Sequence, residues 1–457
     1  MKPLLKVPQY KIKPSAPVYL GEGINTYGTP FIKEGEARDS RNVSSRLSPA
    51  LSVRPGTDDA FTAITTPNAL GQRNNLYPHV QDGTTWKRWD GSVWQTVQAG
   101  LTSAVGKIIE FATGTTLYTI LANGTNTYSW NGTTSASIAA APTSKLYAAH
   151  KGRLYTLLGK ELKFSALNLI TDWTTVLDAG SISITNAQGD GTAIKEFNDM
   201  IFVWTEQSMH KLLGTGPLNY ELVDVSEDGC ISDRSVVEVN SDNAKALYFM
   251  DYKWIKVYTN GTSQRISHAV KTFIDGIALT YKTKICAGKN GKYLYWAIPY
   301  GAVTENNIVL EYDTDLKIWN VHSLAISQFV TIGEKCYGVS PTGVIYDMEN
   351  GLTDNGTAIV WYRTSGVINK NSLRSKTVGS IPVVFDLPIG STMTLSVSKT
   401  VDGNDFVLVQ TFTASAAEQR VDVYLDDIES CEWYRLRFDG TGPATIFYIG
   451  DDLRLEM

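Results

Sequence analysis

The side chains best suited to catalysis or metal binding are scattered too widely in this sequence for spacing alone to make a site. His79, His150, His210, His268 and His322 are each more than 50 residues from the next, and none stands beside a Cys pair or four residues from a second His. A zinc site needs one of those arrangements. Cys230, Cys286, Cys336 and Cys431 form no C-x-x-C pair and read as buried free thiols. No Gly-x-Ser-x-Gly elbow, phosphate-cradling Gly-x-x-x-x-Gly-Lys-Ser/Thr loop or dinucleotide fingerprint occurs, so acyl transfer, nucleotide hydrolysis and hydride transfer lack their usual residues. No catalytic residue, metal or cofactor is expected, and the chain reads as a non-enzyme.

Glycoside hydrolysis asks for less, only two carboxylates across a cleft. Asp313 and Asp315 are the candidates, but Tyr312-Asp-Thr-Asp-Leu-Lys-Ile-Trp319 reads as a turn between strands, where carboxylates cap backbone amides. Asp426-Asp427, Asp451-Asp452 and the loop Asp402-Gly-Asn-Asp405 offer oxygens for Ca²⁺, with turn solvation as the plainer reading. Arg38, Arg41, Arg46 and Arg54 are candidate partner contacts, because they fall in a proline-rich stretch that could lie on an acidic neighbour. A solvated extended segment is the alternative. Trp86, Trp89, Trp94, Trp254 and Trp361 could stack on sugar rings if exposed, which keeps a carbohydrate- or receptor-binding reading open beside core packing.

The elements that must position these residues are strands. An aromatic-rich strand, a short polar or Gly turn and a returning strand recur at Leu117-Tyr118, Leu154-Tyr155, Ile201-Phe202, Leu247-Tyr248, Leu294-Tyr295 and Cys336-Tyr337, at intervals of 37 to 47 residues. Thr85 to Trp94 is a further hairpin around Asp90-Gly91. A repeat of about 40 to 50 residues with two to four strands suits a β-propeller, whose blades bury their faces only against one another. The expectation is an all-β chain: an extended Pro-rich arm over 1–75, a propeller of six or seven blades over 76–368, and a β-sandwich module over 369–457. The arm could also supply the closing strand of the ring or cap an exposed blade edge.

With 41 basic and 46 acidic residues the formal net charge is -5, which argues against an electrostatic grip on nucleic acid. No stretch is long and apolar enough for a secretory or membrane-spanning segment, so a soluble protein with no membrane span, made inside a cell, is expected.

Three segments resemble the propeller-bearing tail hub or nozzle (head-completion) proteins of tailed bacteriophages, especially short-tailed phages. The first is Asn42 to Gly56, which ends in Arg54-Pro-Gly. The second is Val309-Leu-Glu-Tyr312-Asp313 followed by Trp319. The third is the C-terminal run with Val401-Asp-Gly-Asn-Asp-Phe406, Tyr434-Arg-Leu-Arg-Phe438 and Leu453-Arg-Leu-Glu456. The resemblance implies a virion structural subunit in a homo-oligomeric ring, a hexamer favoured, beneath the portal and adaptor. Its neighbours would be the portal-adaptor and other tail proteins, and DNA would pass transiently without specific binding. It would be assembled in the host bacterial cytoplasm.

Overall fold

The computed structural model describes residues 11–13, 17–114, 116–241, 244–369, 376–425, 431–450 and 452–455. Within these, Pro67 to Asp347 builds seven four-stranded antiparallel sheets, the last completed from the N-terminal side. Their first strands, which surround a central channel, are Pro67–Arg73, Lys107–Thr113, Tyr147–His150, Gly191–Phe197, Val237–Ser241, Cys286–Asn290 and Gln328–Ile332, in blades 1 to 7. The six recurring aromatic pairs fall on the second strands of blades 2 to 7, and Trp86 to Trp94 spans the third and fourth strands of blade 1. That hairpin therefore belongs to blade 1, whose sheet brings the number of blades to seven.

The second strands are nearly continuous apolar runs, such as Tyr293–Ile298 and Met200–Thr205, because each is covered by a neighbouring blade on both faces. Seven apolar clusters result, one at each blade interface. Ala69, Trp86 and Trp130 join blades 1 and 2; Val80, Val339 and Ile345 join blades 7 and 1 and close the ring. Each fully buried large side chain contributes about 1.5–3 kcal/mol, so the ring is held by its interfaces and not by any one blade. Inner strands approach closely where the residue is small. A Cβ on Gly71 would meet Ile108 at 2.6 Å. Turns follow the sequence: in Asn260-Gly261 both residues have positive φ, as a two-residue hairpin between paired Thr259 and Thr262 requires.

Of the roles open to the N-terminal stretch, the structure shows the closing strand of the ring. Asp58–Phe61 pairs with Ile345–Asp347 and supplies the outer strand of blade 7. Pro67–Arg73 is already the inner strand of blade 1, so the expected boundary at 75/76 lies inside that blade. The prolines conceal these strands without preventing them, since Pro17, Pro30, Pro49 and Pro55 sit in connections and Pro67 is a first strand residue, where no ladder amide is needed. Pro3, Pro8 and Pro14 lie outside the described residues.

The C-terminal residues form two antiparallel sheets over one apolar core that includes Trp361, Phe385, Leu395, Phe412, Leu436, Phe438 and Ile446. The sheets are not made from residues 369–457 alone. Val360–Ser365 lies between Ala37–Arg41 and Arg435–Thr441, and Leu51–Val53 pairs with Thr445–Ile449. The N-terminal segment thus runs through both parts of the molecule. No helix among the described residues is long and apolar enough to cross a membrane.

Candidate functional site: the seam held by the N-terminal segment

Arg46 stands between the short strands Val43–Ser44 and Leu51–Val53, and its fork points into blades 6 and 7. Nη2 donates to Glu311 Oε2 at 2.8 Å, to Tyr295 OH at 2.7 Å and to Glu349 Oε1 at 2.7 Å; Nη1 donates to Glu349 Oε2 at 2.5 Å. The guanidinium carbon lies 3.8 Å from the centre of the Tyr293 ring. Glu311 is 1% exposed and also accepts from Ser44 Oγ at 3.2 Å and Asn320 Nδ2 at 3.1 Å. His322 Nε2 is 3.5 Å from its other oxygen.

Burial alone would raise the Glu311 carboxyl, but Arg46 first and His322 second outweigh it and hold it well below the usual carboxylate range. Burial works against the Arg46 charge too, yet Glu311, Tyr295 and Glu349 overcome it and the net shift is upward. Burial lowers His322 from its ordinary value, with Glu311 pulling the other way. The arrangement is one buried cation shared by two carboxylates and a phenol. It fixes position; it leaves no base or acid facing an open cleft.

The other arginines are spent in similar ways. Arg54 grips Asp354 with both terminal nitrogens, at 2.8 and 2.5 Å, and its Nε donates to Asn42 Oδ1 at 3.1 Å. Asn42 itself, at φ 59°, joins three elements. Its amide nitrogen donates to Val321 O, its Nδ2 to Val360 O, and its Oδ1 accepts from Ser323 N. Arg41 pairs with Asp39 at 3.0 Å and lies 4.7 Å from the Phe273 ring centre. Arg38 donates to the carbonyls of Thr26 and Gly28. The acidic surface that Arg46 and Arg54 meet is therefore the chain's own, because short strands on both sides hold the segment against it, whereas Arg38 and Arg41 hydrogen-bond within the segment itself.

Other candidates resolve as local structure. Asp313 Oδ1 caps the amides of Asp315 and Leu316 at 2.9 and 3.0 Å, as a turn carboxylate does. Asp405 Oδ1 accepts from Ser398 Oγ and Thr400 Oγ1. Asp426, Asp427 and Asp451 lie outside the described residues. No group of three or more His, Cys, Asp or Glu among the described residues is arranged to hold a metal. The four cysteines are buried and free, and burial pushes the Cys230 and Cys286 thiols up to about 12. Trp86 and Trp361 are core residues, whereas Trp89, Trp94 and Trp254 are half-buried. Sequence reasoning passed over Glu311, Glu349, Tyr295 and Asp354. The signal for Glu311 was present: a carboxylate in the middle of the apolar strand Ile308–Asp313 needs a buried partner.

No family model matches the chain, and no curated protein matches it. Solved structures do. The extracellular domain of the putative hybrid two component system BT3049 from B. thetaiotaomicron aligns with a TM-score of 0.47 at 9% identity, over 86% of this chain and 62% of that one. Streptogramin B lyase aligns with a TM-score of 0.44 at 11% identity, over 64% of this chain and 95% of the lyase. The extracellular domain of the putative one component system BT4673, also from B. thetaiotaomicron, gives a TM-score of 0.45 at 11% identity over 64% of this chain, which spans 40% of that domain's length.

Proposed function

We propose that this chain is a non-enzymatic structural subunit of a bacteriophage tail, a hub or nozzle ring that extends the DNA channel below the portal and adaptor. One observation carries the reading: the three segments that resemble such proteins meet at a single seam. Asn42 to Gly56 places Arg46 on Glu311 of the Val309–Asp313 segment, and Val43 and Leu51 in the same apolar core as Tyr434, Leu436 and Phe438 of the C-terminal run. A propeller and a second β-unit fastened by one threaded segment suit a part that transmits load.

A ring of identical copies needs two different contact patches on each copy. Among the exposed apolar side chains, Val176, 82% exposed, Leu177 and Leu218 lie on loops of blades 3 and 4, and Val360, Val407, Leu408 and Tyr424 lie on the C-terminal sheets. Contact between such residues of neighbouring copies suits a head-to-tail ring, with six copies favoured. The subunit would assemble in the host bacterial cytoplasm and finish in the virion tail, with DNA passing without specific binding.

Cryo-electron microscopy and mass spectrometry of purified virions of the phage that encodes the chain test this. A ring of the chain at the tail, about sixfold, is the expected result. Particles that lack the chain would overturn it.

A further inference from the structure

At the face of the propeller where the inner strands begin, the channel opens into a pocket of about 260 Å³. Four cations converge there from different blades: Lys107 from blade 2, Lys145 before blade 3, Arg234 before blade 5 and Lys282 before blade 6. Three carboxylates line the same pocket, Asp190, Glu206 and Asp233. Four positive charges against three negative leave the lining net positive by one; the ion pairs among the described residues leave two cations, Arg234 and Lys145, and one carboxylate, Asp190, outside them.

The pairings show where that charge resides. Asp233 is committed to Lys107 at 2.8 Å and to the amide of Ile194 at 3.0 Å. Lys282 lies 3.9 Å from Glu206 and donates to Tyr252 OH. Arg234 donates only to the backbone carbonyls of Thr283, at 2.6 Å, and Ser327, at 3.3 Å. Among the described residues no carboxylate lies within ion-pair distance of Arg234 or Lys145. Lys145 reaches in from the exposed rim, and burial first and Arg234 second hold its amine below the ordinary value. The one carboxylate that acts on both, Asp233, is already paired with Lys107, so the two cations repel each other and a bound anion relieves the repulsion.

The remaining wall fixes the rest of the ligand. Val105, Leu146 and Ile231 add apolar surface to the lining, which disfavours a fully hydrated dianion such as free phosphate. An apolar cavity of about 150 Å³ is enough for benzene, so this pocket has room for a ring and one charged group. We propose that the channel mouth binds a small organic carboxylate, its oxygens on Arg234 and Lys145 and its apolar body against Val105, Leu146 and Ile231. The site is independent of the tail assignment.

Benzoate is the probe, titrated calorimetrically into the full chain in low-chloride buffer, with benzyl alcohol as its uncharged counterpart and inorganic phosphate as the competing anion. Saturable one-site binding of benzoate is expected, with benzyl alcohol and phosphate weaker. Lys145→Gln and Arg234→Gln should each weaken benzoate by about tenfold or more, the loss of one hydrogen bond to a charged group. Lys335→Gln, on a salt bridge outside the channel mouth, should leave it unchanged. Lys145 is exposed, so its variant tests the site without disturbing the fold. No saturable heat, equal binding of benzyl alcohol, tighter binding of phosphate, or full affinity in Lys145→Gln would overturn the proposal.

Discussion

Replacing Arg46 by Met removes the guanidinium while keeping most of the stem. Glu349 is partly solvated, with 19% of its side chain exposed, and can recover water; Glu311, at 2%, cannot. It keeps the bonds from Ser44 and Asn320 but loses its cation. Leaving one member of a buried pair alone costs about 3–5 kcal/mol. Unfolding entropy near 60 °C is about 2.1 cal/mol/K per residue, so a chain of 457 residues melting as one unit would lose about 3–5 °C in Tm. The pH dependence supplies a sharper test. In the parent protein the Glu311 carboxyl is held low, so its contribution is present above the ordinary carboxylate range and is lost only in strong acid. Without Arg46, burial dominates and raises that carboxyl above its unfolded value. The cost is then largest at neutral pH and shrinks as the pH falls through the raised value. Protonation of neighbouring His322 acts in the same direction. Calorimetry of the parent, Arg46→Met and Arg46→Met/Glu311→Gln at pH 7.5 and 5.5 should show a deficit that narrows in acid and is largely recovered in the double variant. A Tm within about 1 °C of the parent, or a deficit that widens in acid, would refute the reasoning.

Gly23→Ala should free the N-terminal segment. The glycine has φ 79°, and an added Cβ would lie 2.0 Å from Ile318 Cγ2 and 2.8 Å from the Trp319 carbonyl oxygen, so a loss of about 1–3 kcal/mol is expected, read as faster limited proteolysis between residues 17 and 57. Burial first, then Arg73 and Arg88, lowers His79 from 6.5 to about 3, and its ring lies between Trp86 and Trp130. As pH falls from about 6.5 towards 3, the unfolded chain takes up a proton that the folded one refuses, so stability drops; His79→Phe should flatten that part of the curve in urea titrations. Phe61 touches Trp89, Trp94 and Tyr337 across the closing seam, with centroids 5.1 to 6.1 Å apart. Phe61→Ala should speed amide exchange of Ile345–Asp347 and leave blades 3 and 4 unchanged; uniform acceleration would show that the seam is not a local weak point.

The blade rhythm was legible because a strand buried on both faces must be apolar throughout, and the pairs Leu154-Tyr155, Ile201-Phe202 and Leu294-Tyr295 all mark such strands. The seventh blade was legible only in part, since its closing strand Asp58–Phe61 reads Asp-Asp-Ala-Phe, with no alternation strong enough to separate it from a loop. Outer strands make one ladder and face solvent, so packing places little demand on their composition. The arginine cluster was visible, but its partners were not. Glu311 is 265 residues from Arg46, and Asp354 is 300 from Arg54. Spacing rules operate over a turn or a hairpin and cannot pair residues that meet only after two sheets have closed.

That separation bears on why the seam is ionic. Apart from the pairing of Val43–Ser44 with Leu51–Val53 inside it, the segment finds its strand partners late in the chain: Asp58–Phe61 waits for Ile345–Asp347, Ala37–Arg41 for Val360–Ser365, and Leu51–Val53 for Thr445–Ile449. The segment can therefore dock only after the rest is made, onto a surface already formed, and its short strands offer few ladder bonds to set the register. A one-residue slip would turn Val43 and Leu51 out of the core, but a two-residue slip keeps the same face inward, so apolar contacts alone discriminate less against it. Arg46 does not tolerate such a slip. Moving it from Glu311 leaves a buried carboxylate uncompensated, at a cost of several kcal/mol, while Arg54 leaves Asp354 and Asn42 loses its hold on Val321, Val360 and Ser323 together. The polar groups of Asn42, Arg46 and Arg54 thus add little net stability over an apolar seam, but they restrict the segment to the one register that closes blade 7 and completes the C-terminal sheets.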